Sequence, residues 1–221
     1  DIANLRIAPI APPIPTKIYG FTFAPLDCYP IKHAKESRLS QCFMTIWFLT
    51  GNEGKVAEAR DHFAKHNIPV RQLEFEAVEP QAENLEEVAL AKIEQAIPKL
   101  PDSNDMILVE DAGLFIDALD GFPGVYSSYA LETIGFYGIL RLMSNLESED
   151  LVQDGRLRKA EFRAVSILYH KGQTIVSEGV CPGRISHQST EGEGFGFDPI
   201  FIPADLDDDG NALEIGEIGS V

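Results

Sequence analysis

Basic residues are in short supply, with 18 lysines and arginines against 35 aspartates and glutamates in 221 residues, a formal net charge of −17. A surface of that sign repels polyanions, which excludes a role in coating nucleic acid. An anionic substrate needs a local device instead: a divalent cation on carboxylates, a few placed lysines, or the N–H groups of a helix N-terminus. Cysteine is scarce as well. Cys28, Cys42 and Cys181 are odd in number, lack metal-ligand spacing and follow no charged-then-apolar leader. Neither a disulfide framework nor a thiolate metal site is expected, and the three read as thiols of a reducing cytoplasm. No apolar run approaches the ~20 residues that cross a bilayer, so no transmembrane helix and no membrane partner are expected.

What is present is an ordinary globular balance, 44% apolar and 24% charged, enough to bury one sizeable core in one domain. Residues 1–43 hold Pro9, Pro12, Pro13, Pro15, Pro25 and Pro30 and show no sustained period of 2 or 3.6. They read as an irregular N-terminal extension, and the folded domain is taken as 44–221. Met44 opens a strand over 44–49. Turn chemistry at 50–52 leads into a helix over 53–66 with Val56, Ala59 and Phe63 on one face. A short strand over 70–75, an acidic loop over 76–84 and a helix over 85–97 follow. A strand over 106–109 runs directly into Glu110 and Asp111. Further on come a helix over 129–146 and a hairpin of 161–169 with 174–180, turning at Lys171, Gly172 and Gln173. Strands and helices that alternate before antiparallel strands predict an α/β fold with a mixed sheet.

Five features carry candidate chemistry. Thr50-Gly51-Asn52-Glu53-Gly54-Lys55 joins a strand to a helix. Its glycines let backbone approach a phosphate, its first-turn N–H groups are expected to point outward unpaired, and Lys55 adds positive charge. It is no Walker A loop, because Val56 stands where a magnesium-holding hydroxyl would be. The competing reading is an ordinary glycine-bearing turn. Lys92 falls in the middle of the apolar stripe of Leu85, Val88, Ala89 and Ala96, either with its stem on the core and its ammonium reaching water, or with that ammonium directed into an anion site. Glu110-Asp111-Ala112-Gly113-Leu114 puts two carboxylates at a strand end, positioned to hold magnesium or activate water, or simply solvated. Glu79, Glu83, Glu86 and Glu87 read mostly as a solvated face from which one member completes a metal site. Gly194-Phe195-Gly196-Phe197-Asp198-Pro199 offers two rings as a stacking wall for a planar base and an acceptor for a purine N1–H, or else a glycine-rich turn capping a strand. Asp205-Leu206-Asp207-Asp208-Asp209-Gly210 copies half of a calcium loop, but Gly216 occupies the place of the bidentate glutamate, so it reads as an acidic surface loop.

In order and spacing, the turn at 50–55, Glu110-Asp111-Ala112-Gly113-Leu114, Gly121-Phe122-Pro123-Gly124-Val125-Tyr126-Ser127 and Phe195-Gly196-Phe197-Asp198-Pro199 together resemble the inosine triphosphate pyrophosphatase family. The resemblance implies an elongated mixed β-sheet with flanking helices and a cleft between two lobes, magnesium as cofactor and a homodimer. It implies hydrolysis of noncanonical purine nucleoside triphosphates such as ITP, dITP and XTP to monophosphate and pyrophosphate. It gives triphosphate binding to Thr50, Gly51, Asn52, Glu53, Gly54, Lys55 and Lys92, with Ala112 in the substrate-binding set. Asp111 becomes metal ligand and proton acceptor for the attacking water, and Glu79 the second metal ligand, with Glu83 as the alternative because the loop needs a one-residue shift. Phe195, Gly196, Phe197 and Asp198 take the base. The family continues with a lysine-bearing acidic segment and Ser-His-Arg, absent before Val221, so the chain is expected to be a fragment lacking the C-terminal end of its domain. The alternatives are a non-catalytic nucleotide-binding protein of the same fold and an unrelated α/β protein sharing only the phosphate turn.

Overall fold

A computed structural model describes residues 44–190 and 196–204. The extension at 1–43, Phe195 and the acidic loop from Asp205 to Gly210 lie outside the described residues.

The elements run β1 (Ile46–Leu49), α1 (Glu53–Ala64), β2 (Val70–Gln72), α2 (Leu85–Ala96), β3 (Met106–Ile116), α3 (Ser127–Thr133), α4 (Gly135–Leu142), α5 (Leu151–Leu157), β4 (Lys159–His170), β5 (Gln173–Ile185) and β6 (Phe201–Pro203). The strands form one sheet in the order β2-β1-β3-β4-β5-β6. β1 is parallel to β2 and β3, and every later pairing is antiparallel. The mixed sheet with flanking helices is the architecture that the order of elements in the sequence predicts.

β1 is apolar at all four positions because helices cover both faces of this end of the sheet. On one face Ile46 and Phe48, with Met106 and Leu108 of β3, pack against Val56, Ala59 and Phe63 of α1. On the other, Leu49, Ile107 and Val109 pack against Leu85, Ala89, Ile93 and Ala96 of α2. A third core gathers Leu114 and Ile116 from the far half of β3 with Ala130 of α3, Ile139 of α4, and Met143, Ile185 and Phe197. β3 thus serves all three cores.

Several elements differ from their expected bounds. β3 continues through the polar run to Ile116, because β4 pairs with it residue by residue from Ile107↔Tyr169 to Ile116↔Ala160. Gly113 belongs inside this strand for a steric reason: a Cβ there would lie 2.3 Å from the carbonyl oxygen of Gly124. Ser127 completes that contact, its hydroxyl accepting from Leu114 N–H at 2.8 Å and donating to Gly124 O at 2.7 Å. The single helix expected over 129–146 is two, because Gly135 has φ +63°, a left-handed conformation that glycine adopts without steric cost. The hairpin is longer than expected and turns on Lys171 and Gly172, at φ 48° and 82°, the handedness a two-residue hairpin loop requires. β2 stops at Gln72 rather than residue 75, and α5 has no counterpart in the expectations. α5 begins at Asp150, whose carboxylate caps Gln153 N–H. It ends beside the buried Arg158, whose guanidinium donates to the carbonyls of Met143, Leu146, Ile185 and Ser186. Among the described residues no helix is long and apolar enough to cross a membrane, and Cys181 is buried in the third core.

Candidate active site

The strand order reverses direction at β1. The chain passes from β1 through α1 to β2 on one side, then through α2 to β3 on the other, and the two helices cover opposite faces. Ligand crevices of open α/β sheets form at such a switch point, beyond the C-terminal ends of the two diverging strands. Here those ends carry Thr50 after β1 and Glu110 and Asp111 on β3, one step past the last β1–β3 pair, Leu49↔Val109.

The turn is built around Asn52. Its backbone is extended (φ −95°, ψ 107°), and its side chain accepts from Gly54 N–H at 2.9 Å and Lys55 N–H at 3.3 Å, the role of a helix N-cap. Asn52 N–H donates to Thr50 Oγ1 at 3.1 Å. This corrects the expectation of an open first turn: two of the N–H groups counted as free are occupied by the cap, which leaves those of Gly51 and Glu53 unbonded among the described residues.

Side chains alternate across β3, so its two neighbouring carboxylates face opposite sides of the sheet. Glu110 follows Leu108 onto the α1 face, where its side chain is fully buried and Oε1 lies 3.0 Å from Lys55 Nζ. Burial pushes this carboxyl up to about 7 against the pull of Lys55, and Oε2 has no hydrogen-bond partner. Asp111 follows Val109 onto the α2 face, where Oδ1 accepts from Lys92 Nζ at 2.5 Å. Burial raises the Asp111 carboxyl too, opposed by Lys92, and Oδ2 is buried without a partner. For Lys92, burial acts to lower the ammonium and is outweighed by Asp111 and Glu79, so the net direction is upward and the ammonium stays charged. The Lys92 ammonium is turned onto the carboxylates of Asp111 and Glu79 rather than out to water.

Glu79 completes that cluster, with Oε1 2.6 Å from Lys92 Nζ and a side chain 56% exposed. It is held there by a residue that the sequence did not suggest. The Gln95 amide of α2 accepts from Val78 N–H at 2.9 Å and donates to Val78 O at 2.8 Å, pinning the loop one residue before Glu79. At Glu83 the backbone is engaged in the start of α2: its N–H donates to Glu87 Oε2 at 3.1 Å, while Glu87 N–H donates to Oδ1 of the N-cap Asn84 at 2.9 Å. Between the two candidate glutamates, it is Glu79 that meets Lys92.

The aromatic segment is arranged differently from the expectation. Phe197 is only 4% exposed and packs into the third core, so its ring supports the turn from below instead of standing open as a wall for a base. Gly196 has φ +66° and Asp198 opens a single 3-10 turn to Ile200. Ala112 sits half-buried on β3 beside Asp111.

Fold and site together define an α/β protein with a cluster of two lysines and three carboxylates at the switch point of a mixed sheet. The chain belongs to the Ham1 family, whose profile matches residues 46–217. It is 43% identical over 160 residues to the dITP/XTP pyrophosphatase of Pyrococcus horikoshii, covering 72% of this chain and 80% of that protein. To the dITP/XTP pyrophosphatase of Thermococcus kodakarensis it is 42% identical, covering 74% and 82%. Among solved structures, the nucleoside-triphosphatase and dITP/XTP pyrophosphatase of Mycobacterium abscessus superposes with a TM-score of 0.60 at 26% identity, over 72% of this chain and 84% of that one.

Proposed function

We propose that this chain is a pyrophosphatase that hydrolyses noncanonical purine nucleoside triphosphates, dITP, ITP and XTP, to the monophosphate and pyrophosphate. The observation that carries the reading is the Lys92–Asp111–Glu79 cluster beside the Asn52-capped turn, in a chain whose curated relatives are dITP/XTP pyrophosphatases.

The residues divide the work by charge. The N–H groups of Gly51 and Glu53, at the positive end of the α1 dipole, take phosphate oxygens. Lys55 and Lys92 stabilise the negative charge that builds on the leaving pyrophosphate, in a partly buried setting where a fixed charge acts more strongly than in water. Asp111 orients the attacking water and accepts its proton as the oxygen bonds to the α-phosphorus, and a carboxyl raised by burial is the better base for that task. The site suits magnesium: Asp111 Oδ2 is a buried carboxylate oxygen without a partner and Glu79 is beside it on the same lysine. Asp111 and Glu79 would hold the ion. Bound there, magnesium supplies neutralisation of triphosphate charge. Gly196 and Asp198, with Phe195, are read as the base-binding end. We also read the protein as a cytoplasmic homodimer, checked by light scattering and by fractionation.

The test is pyrophosphate release from dITP, ITP, XTP, GTP and ATP, with and without magnesium. Magnesium-dependent release confined to the first three, and lost in Asp111→Asn, is the expected result. Nucleotide binding without release from any of them would replace the enzyme by a non-catalytic binding protein.

A further inference from the structure

We infer that Gln72, on the neighbouring strand and outside every motif, is a positioning residue for the phosphate turn: it locks the Thr50–Gly51 peptide so that Gly51 N–H faces the substrate. This rests on the pyrophosphatase reading above.

The side-chain amide of Gln72 donates to Thr50 O at 2.8 Å. Along β1, Phe48 O accepts from Leu73 N–H at 2.8 Å and Thr45 O accepts from Met106 N–H at 2.9 Å. Carbonyls of even-numbered residues therefore point to β2 and those of odd-numbered residues to β3. Thr50 is the next even position. However, β2 has ended, and the chain turns away with Phe75 N–H bonded to Leu73 O. No β2 backbone N–H meets Thr50 O, and the Gln72 amide stands in for the missing rung.

A trans peptide is planar, with its C=O and N–H pointing in opposite directions. Fixing Thr50 O toward β2 therefore fixes Gly51 N–H toward β3, the side on which Glu110 and Asp111 stand. That N–H has no partner among the described residues. Beside this peptide the space is open, since a Cβ at Gly51 would meet nothing within 4 Å. The same open space leaves room for a phosphate oxygen. Next to a glycine, the other restraint on this peptide is the bond from Asn52 N–H to the Thr50 hydroxyl, which leaves the carbonyl itself free to turn. Without Gln72, Gly51 N–H spends part of its time turned away, and a bound phosphate must reorder it.

The test uses the whole chain with inorganic triphosphate and magnesium as the probe, followed by calorimetric titration, and dITP turnover alongside. Gln72→Met keeps the length but removes the donor, and Gln72→Glu keeps the shape but presents only acceptors at neutral pH. Both are expected to weaken triphosphate binding roughly tenfold, about 1.4 kcal/mol, to raise KM for dITP by a similar factor and to leave kcat within about threefold. The Gly51 amide resonance, strongly shifted by triphosphate in the parent chain, should shift less in both variants. A general structural role would lower the melting temperature without moving that resonance. Triphosphate affinity and KM within threefold of the parent in both variants would overturn the inference and leave the pyrophosphatase reading standing. A parent chain that binds no triphosphate would remove that reading and this inference with it.

Discussion

β3 carries two carboxylate–lysine pairs, one on each face, and they differ in their access to solvent. On the α1 face, the Glu110 side chain is wholly buried and Lys55 is 15% exposed. On the α2 face, Asp111 and Lys92 are 14% and 13% exposed, and Glu79, 56% exposed, joins them. The difference separates two kinds of work. In the proposed reaction Asp111 is the carboxylate that meets water and phosphate, whereas Glu110, whose ion-pair partner among the described residues is Lys55, acts by setting where that ammonium stands. The sharpest way to break this contrast is to neutralise each carboxylate in turn. Asp111→Asn should lower dITP turnover by roughly 10³-fold with the fold intact by circular dichroism, while Glu110→Gln stays within about tenfold. Equal losses in the two variants would abolish the distinction between the faces.

Stability should separate them in another way. Burial raises the Glu110 carboxyl to about 7 from its ordinary 4.5, so the folded state binds a proton between those values that the unfolded chain has released. Stability from this group is then fully present below pH 4.5 and is lost as pH rises through 7. Glu110→Gln removes that dependence, so in EDTA at pH 8 it should be the more stable protein by up to about 3 kcal/mol, with the advantage gone near pH 4.5. Urea midpoints at the two pH values check it.

On the α2 face, it is the lysine whose loss is costly. Lys92→Met leaves Asp111 and Glu79 close together with their shared cation gone. Removing one partner of a buried pair costs several kcal/mol, reduced here to about 2 kcal/mol because Glu79 is largely solvated. Burial already raises the Asp111 carboxyl, and the loss of Lys92 raises it further, so the penalty should be greatest at alkaline pH and shrink as acid protonates Asp111. A penalty independent of pH would mean that the Lys92 stem, not its charge, is what the fold needs.

The parts of this site that were legible in the sequence are the local ones. The turn at 50–52 reads as the start of a helix because turn residues give way there to a helical pattern, and Lys92 stands out because a helical wheel puts it among Leu85, Val88 and Ala89. The long strand β3 was cut short at Val109 because its polar run, paired in register with β4, hides the period of a strand covered on both faces. The break at Gly135 did leave a local sign, a glycine in the middle of an otherwise continuous helical pattern. Gln72 and Gln95 left none: each acts on a backbone group brought near by the fold, 22 and 17 residues away. The buried Phe197 shows the opposite error, in which aromatic rings alternating with glycines suggested an open wall and the third core claimed one of them.

The smallest expected effect concerns which glutamate works with Asp111. Glu79 is largely exposed and touches Lys92, while Glu83 is exposed with its N–H engaged by the cap of α2. Neither side chain supports much buried structure, so Glu79→Gln and Glu83→Gln should both melt within a degree or two of the parent. Only Glu79→Gln should shift the magnesium concentration for half-maximal turnover, upward by roughly tenfold. Because Glu79 also shares Lys92 with Asp111, its removal frees that ammonium, so KM for dITP should stay level or fall even as the magnesium requirement rises. A magnesium shift in Glu83→Gln instead would mean that the loop before α2 moves by several residues when the cation binds, and that the Gln95 clamp on Val78 opens to let it.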